Sequence, residues 1–237
     1  MVLTPEQLFL FRMAGFCRLP QRLPEETVRA LKEAIYQDID NAVEPVVRNK
    51  EGRIVRLSNA LDRAPIFRQV ATGPLVIEPL TDLLGPNIEL LRNRHNNATL
   101  RLPDPRAEAL HRDVPQWSRG IVTVLFYLEE STAEKGCTRL VPGSHLLPWA
   151  PNAAEAVERS RVQDQIVRAE SPAGGMLVID SLLWHGVGAN KTGETRMTVT
   201  MGYHSVDDLA SVEDPSRILV AGQRPYKGNM PIKGAMM

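Results

Sequence analysis

Hydrophobic positions in the first third of the chain recur with the period of a helix. Thr4 followed by Pro5 is typical of a capped helix start, and Pro24 precedes a second start. Two apolar stripes follow at helical spacing, the later of which stops at Gly85-Pro86. They are Val28, Leu31, Ile35 and Ile39, and then Ile77, Leu80, Leu83 and Leu84. We expect these helices to pack on a sheet.

From residue 88 onward the apolar period changes to two. Short β-rich segments alternate with clusters of Gly, Pro, Asn and Asp, and no helical pattern separates them. The predicted strands are Ile88–Leu91, 93–102, 119–128, 138–141, Met176–Asp180, 183–187 and 195–203. This order favours a mainly β protein with flanking helices and an antiparallel sandwich or jelly-roll core. We predict one domain over 1–237, with a helical part to about 85, a β core over about 86–205 and an irregular tail.

Residues 46–68 are polar and weakly periodic, and Asn49 to Gly52 are typical of a hairpin tip or a mobile loop. One interpretation is a solvated connection between elements. The other is a lid over a site.

Composition excludes several classes of function. The chain has 28 basic and 28 acidic side chains, so no general field attracts nucleic acid or a membrane surface. Cys17 and Cys137 are too few and too far apart for a disulfide framework or a thiolate metal site. Residues 1–7 lack the features of a signal peptide, and no apolar run is long enough to span a membrane. We expect a cytoplasmic protein with a small-molecule partner, and both a monomer and a homodimer stay open.

His111 and Asp113 are two residues apart in a segment that precedes a predicted strand. In an extended chain such residues project to the same face, which would present an imidazole beside a carboxylate. That is two thirds of a facial triad for non-haem Fe(II). The alternative is a charged loop leading into the strand.

His185 lies in an apolar strand-like run followed by glycines, and Arg196 begins an alternating strand eleven residues later. Glycines there allow a close approach of backbone or ligand. Arg196, Thr198 and Thr200 share one face of their strand. This polar face either lies in water at a sheet edge or lines a barrel, where the guanidinium could bind a carboxylate.

Together these features resemble the phytanoyl-CoA dioxygenase family of Fe(II)- and 2-oxoglutarate-dependent oxygenases. The residues that carry the resemblance are His111-x-Asp113, the stretch Gly136-Cys-Thr-Arg-Leu-Val-Pro-Gly-Ser-His145, and His185 with Arg196. The match spans roughly residues 85–205, and the segment Ala14-Gly15-Phe16 is similar to the family's N-terminal part.

The resemblance implies a double-stranded β-helix with iron at its mouth. His111, Asp113 and His185 would hold Fe(II), and Arg196 would bind the distal carboxylate of 2-oxoglutarate, with O₂ as the other reactant. Many members carry Ser or Thr two residues after the second iron histidine, where this chain has Val187. Thr123 and Thr198 are the hydroxyls expected near the cosubstrate instead.

Further contacts follow from strand alternation. Asn93, His95, Asn97 and Thr99 would share a face, so Asn93 and Asn97 are candidate cosubstrate or substrate contacts, with solvent-facing amides as the alternative. We expect His145 to be structural, and His95 and His204 to be sheet or pocket residues. Trp117 would stand near the barrel mouth as a substrate contact, or else in the core.

The implied reaction is oxidation of an unactivated C–H bond, by hydroxylation, cyclisation, epimerisation or desaturation, in the tailoring of a natural product. Asp113 argues against a radical halogenase, which needs a free coordination position for halide. Two other classes stay open: a cupin-type isomerase or lyase that uses the metal without 2-oxoglutarate, and a non-catalytic binding relative.

Overall fold

The computed structural model describes residues 1–113, 120–147, 162–206, 214–224, 226–227 and 230–231. The α-helices of these residues are α1 (Pro5–Ala14), α2 (Glu25–Asp40), α3 (Pro65–Ala71) and α4 (Pro74–Leu84). The predicted cap at Thr4 is confirmed, because its hydroxyl accepts a hydrogen bond from the Gln7 amide. No helix in the described ranges combines the length and apolar character needed to cross a membrane.

The strands form two main antiparallel sheets and one short hairpin. In chain order their bounds are β1 (Phe16–Arg18), β2 (Val46–Arg48), β3 (Ile54–Ser58), β4 (Ile88–Leu91), β5 (Asn97–Arg101), β6 (Ile121–Tyr127), β7 (Thr138–Leu140), β8 (Val167–Ala169), β9 (Met176–Asp180), β10 (His185–Val187), β11 (Arg196–Ser205), β12 (Arg217–Ala221), β13 (Tyr226–Lys227) and β14 (Met230–Pro231).

The large sheet has the order β1-β9-β6-β11-β5-β3-β2, and β4 pairs with both β11 and β12. The small sheet has the order β10-β7-β8. Strand β6 is buried along its whole length, because the large sheet is covered on both faces. The helices cover one face, and the small sheet faces the other.

Successive side chains of β11 point to opposite faces of the large sheet. Met197, Val199 and Met201 join the core that contains the helix residues Leu31 and Leu80. On the opposite face, Leu125, Tyr127, Leu177 and Ile179 of the large sheet cluster with Leu140 and Ala169 of the small sheet. The functional cavity therefore opens between the two sheets, on the face that carries Arg196 and Thr198.

The structure differs from the predicted elements at three places. Segment 46–68 is more than a solvated connection, since β2 and β3 form a hairpin with the predicted tip at Asn49 to Gly52, and β3 pairs with β5 of the large sheet. The predicted strand 93–102 begins only at Asn97, because the chain turns at 92–96 and His95 has a φ of 57°. The tail is not wholly irregular, because β12 pairs with β4.

The packing of helix α2 against the large sheet can be tested by mutation. Leu31 is 1% exposed and belongs to the core between helices and sheet. Leu31→Ala should lower the free energy of unfolding by about 2–5 kcal/mol, because it deletes buried methyl groups and leaves a cavity. The free energy of unfolding is measured by urea titration with circular dichroism as the signal. Arg29→Ala on the exposed side of the same helix should change it by less than about 0.5 kcal/mol, and equal effects of the two changes would contradict this packing.

Candidate metal and cosubstrate site

A backbone bridge brings His111 and His185 together. The His111 amide donates to the His185 carbonyl at 2.8 Å, and the His185 amide donates to the His111 carbonyl at 2.9 Å. The Asp113 amide donates to the Ser181 carbonyl at 2.9 Å. The segment that carries His111 and Asp113 is thereby fixed beside β10. The segment is therefore paired with β10 and is not only a charged loop that leads into a strand.

The three side chains converge on one point. Ligand atoms of His111, Asp113 and His185 all lie within 4.8 Å of one another. Asp113 Oδ1 is 3.4 Å from His185 Nε2 and 3.9 Å from His111 Nε2. Two imidazole nitrogens and one carboxylate oxygen are the donor set of a facial triad.

In each imidazole of the triad, a contact between Nδ1 and a backbone carbonyl determines that Nε2 faces the other two ligands. His185 Nδ1 donates to the Leu183 carbonyl at 2.8 Å, and His111 Nδ1 lies 3.3 Å from the Ala109 carbonyl. Because a carbonyl only accepts, the proton belongs on Nδ1 and the lone pair of Nε2 is directed to the centre of the triad.

The second oxygen of Asp113 is held by residues outside the triad. Thr123 donates to Asp113 Oδ2 at 3.1 Å, and His95 Nε2 lies 3.0 Å from the same oxygen. Arg94 donates to the Asp113 carbonyl. Oδ1 is thus the oxygen available to a metal. Sequence patterns did not single out Arg94 or the contact of His95 with Asp113, because both depend on the turn after β4.

The electrostatics of the triad favour a positive charge at its centre. Burial raises the pKa of the Asp113 carboxyl, but the neighbouring imidazoles of His185 and His95 outweigh burial and leave this pKa below its ordinary value. Burial lowers the pKa of His185, yet the carboxylate of Asp113 raises it overall. Burial and the neighbouring His185 lower the pKa of His111. A buried carboxylate between two imidazoles attracts a proton or a metal ion.

Arg196 lies in the same cavity and is 3% exposed. Its Nε and Nη1 atoms are buried and have no hydrogen-bond partner among the described residues. Burial lowers the pKa of this guanidinium, although a guanidinium keeps its charge in proteins. A buried charge without hydrogen-bond partners is costly, and an anion that entered the cavity would offset this cost.

The other predicted contacts fall into three groups. Asn97 and Thr198 line the cavity with Arg196. Thr123 contacts Asp113 and Ser181, so it supports the triad rather than the Arg196 end. Asn93 is exposed, lies before the start of β5 and is not among the residues that line the cavity, so it agrees with the alternative of a solvent-facing amide and does not share a face with Asn97. Trp117 lies outside the described residues.

The Pro-Gly-Ser-His turn supports the strand that carries His185. Ser144 Oγ accepts a hydrogen bond from the Trp184 amide at 2.8 Å. His145 Nε2 lies 3.1 Å from the Arg12 carbonyl, at the end of α1, which agrees with a structural role. Gly136 has a φ of 69°, and a Cβ there would lie 2.5 Å from the Gly188 carbonyl oxygen, so only glycine fits.

Comparison with solved structures identifies the fold as a double-stranded β-helix. The "non-heme alpha ketoglutarate dependent carbocyclase SnoK from nogalamycin biosynthesis" superposes with a TM-score of 0.75 at 19% identity, over 92% of this chain and 97% of that chain. EctD from S. alaskensis, solved with 2-oxoglutarate and 5-hydroxyectoine, superposes with a TM-score of 0.74 at 18% identity, over 98% of this chain and 86% of that chain. The predicted jelly-roll fold class is confirmed.

Sequence comparison gives the family. Dioxygenase trt7 of Aspergillus terreus is 34% identical over 217 residues, which cover 76% of this chain and 70% of that protein. An uncharacterized protein of Mycobacterium bovis, Mb1539, is 31% identical over 100 residues, and the match covers 41% of this chain and 34% of that protein. The chain thus spans about a third of the length of that relative. The family model described as phytanoyl-CoA dioxygenase (PhyH) matches residues 11–198, and the chain belongs to this family.

Proposed function

We propose that this protein is a non-haem Fe(II)- and 2-oxoglutarate-dependent oxygenase that oxidises an unactivated C–H bond of a small molecule in natural-product biosynthesis. The observation that carries the proposal is the presence, in one cavity, of a His-Asp-His triad and a buried guanidinium whose Nε and Nη1 have no hydrogen-bond partner in the part of the chain that the structure describes. A metal centre alone has no need for that guanidinium.

The triad fits Fe(II). Two imidazole nitrogens and one carboxylate oxygen would hold the ion and would leave positions open for other ligands. Thr123 and His95 hold the non-ligating oxygen of Asp113, which favours coordination through Oδ1 alone. His111 is the accessible side of the triad, since its side chain is 50% exposed while that of Asp113 is 6% exposed.

Arg196 fits the distal carboxylate of 2-oxoglutarate. Its planar guanidinium can donate two parallel hydrogen bonds to a carboxylate, and burial strengthens that interaction. Thr198 and Asn97 line the same part of the cavity and can donate further hydrogen bonds. We assign all three residues to cosubstrate binding, with Arg196 as the anchor.

Bound Fe(II) and 2-oxoglutarate would supply oxidation of a C–H bond by O₂, with succinate and CO₂ as coproducts. The protein would hold the cosubstrate at Arg196 and fix the geometry of the triad. The choice among hydroxylation, cyclisation, epimerisation and desaturation depends on where the substrate's C–H bonds lie relative to the triad. Natural-product biosynthesis is suggested by the neighbour SnoK from nogalamycin biosynthesis.

The first test is an anaerobic titration with Fe(II) and 2-oxoglutarate. Chelation of the iron by the cosubstrate should produce a visible metal-to-ligand charge-transfer band that neither component produces alone with the protein. A lyase or isomerase that uses the metal only as a Lewis acid would bind the ion without this band. Absence of the band in a folded sample refutes the proposal.

Loss of one triad ligand should remove iron binding. His185→Ala is expected to weaken Fe(II) binding by more than about 100-fold, because loss of an outer-shell partner already costs about 10- to 100-fold. Thr123→Val, which removes only the hydrogen bond to Asp113 Oδ2, should fall in that smaller range. Anaerobic equilibrium dialysis measures both. Retention of iron by a folded His185→Ala variant would contradict the assignment of this ligand.

Arg196→Gln should weaken 2-oxoglutarate binding and spare iron. Loss of hydrogen bonds to a charged group predicts a rise in the cosubstrate Kd of about 10- to 100-fold, measured from the charge-transfer band at saturating Fe(II). Arg29→Gln on the exposed side of α2 is the matched control and should leave the Kd unchanged. An unchanged Kd for Arg196→Gln would show that the anchor lies elsewhere.

A further inference from the structure

The cavity that contains the triad extends well beyond it. Its volume is about 900 Å³, and its wall includes the hairpin formed by β2 and β3. Cavities of roughly 300–1,000 Å³ hold small organic ligands. The volume therefore accommodates a substrate in addition to 2-oxoglutarate.

Basic residues outnumber acidic residues along this wall, although the whole chain is electrically neutral. The basic residues of the wall are Arg48, Lys50, Arg53, Arg56, Arg101, Arg106 and Arg196, and the acidic residues are Glu51, Asp104, Glu108 and Asp113. The excess of positive charge is thus a local property of the cavity.

Most of the charges away from the hairpin are already paired. Arg101 lies 3.4 Å from Glu108, and Arg106 lies 3.2 Å from Asp104. On the hairpin itself, Arg48 lies 3.7 Å from Glu44.

Three hairpin cations are left without an acidic partner within the described part of the chain. They are Lys50, Arg53 and Arg56, and Glu51 is the acidic residue of the wall that lies beside them in sequence. The hairpin thus contributes a net positive charge to the cavity mouth.

Strand register places Arg56 on the face that forms the cavity. Arg56 is opposite Thr99 on β5, and Thr99 is opposite Thr198 on β11. Neighbouring strands lie about 4.8 Å apart, so Arg56 is about 10 Å from Thr198 across the sheet. Its neighbour Leu57 is fully buried on the other face, against the helices. Arg56 is exposed, so a ligand in the cavity mouth can reach it.

The cosubstrate complex does not neutralise these cations. Fe(II) carries two positive charges and Arg196 one, whereas 2-oxoglutarate carries two negative charges and Asp113 one. The complex is therefore formally neutral. The positive charge of the hairpin is left for the substrate.

We propose that the substrate is an acid whose carboxylate or phosphate group is bound by Arg56, and that Arg53 and Lys50 of the same hairpin add positive charge to the cavity wall. This inference rests on the proposed function, because the triad must be the reacting centre for the hairpin to be the substrate's anchor. Arg56 donates hydrogen bonds to the anion, as guanidinium groups do to carboxylates and phosphates. The reacting C–H bond lies toward the triad, remote from the charged group.

The proposed substrate class is tested by isothermal titration calorimetry of the protein in its anaerobic complex with Fe(II) and 2-oxoglutarate. The three probes have equal chain length and are octyl phosphate, octanoate and octan-1-ol. At least one acid should bind about 10-fold more tightly than the alcohol or better, as expected for a charge-assisted hydrogen bond. Arg56→Gln should remove most of this difference and leave the affinity for the alcohol within about twofold. Arg29→Gln should change neither. Added salt should weaken only the acids, because the hairpin is solvent-exposed.

Comparison of the two acids identifies which anion the site prefers. The inference is overturned if neither acid binds, if the alcohol binds as tightly as the acids, or if Arg56→Gln leaves the affinity for the acids unchanged. The charge-transfer band of each sample separates the two proposals. A normal band with failed acid binding overturns the substrate class alone, and a missing band overturns both.

Discussion

The site depends on a pair of backbone hydrogen bonds between His111 and His185. They join a segment that precedes β6 to the edge of the small sheet, and they set two imidazoles directly opposite each other. Because successive side chains of an extended segment alternate, Asp113 then projects to the same side as His111. One local pairing therefore positions all three candidate ligands, and each imidazole is oriented by a carbonyl of its own segment.

The Pro-Gly-Ser-His turn shows how a motif without chemistry of its own supports that pairing. Ser144 accepts from the Trp184 amide, immediately before His185, and its carbonyl accepts from Arg112, between His111 and Asp113. The Arg112 guanidinium also lies 5.3 Å from the centre of the Trp184 ring. One turn thus contacts both segments that supply the triad, which explains why this motif accompanies the ligands in the sequence.

Strand β11 contributes one face to the hydrophobic core and the other face to the candidate site. It pairs with β6 along one side and with β5 and β4 along the other, so it is central in the sheet rather than at an edge. Its apolar face holds the helices in place, and the opposite face presents Arg196 to the cavity. Rigid pairing on both sides holds this buried charge where an anion can meet it, which a flexible loop would not do.

Many of the elements and candidate site residues could be predicted from the sequence. The apolar stripes of α2 and α4, the strand pattern of the core, the three candidate ligands and Arg196 were all predicted, because period and residue type are local properties. The family motifs added the order in which these residues occur. Predictions that relied on extrapolating a strand were less successful, as Asn93 shows, because a left-handed residue at position 95 ends the alternation.

The tertiary structure alone decided which distant segments meet. The pairing of β3 with β5 turned a polar segment into part of the cavity wall and placed Arg56 there. The turn after β4 brought His95 to Asp113. Register between strands far apart in sequence is set by the packing of the whole core, and no local pattern encodes it. The sequence by itself therefore determined the chemistry of the donor groups, and the folded sheet decided which of them share a cavity.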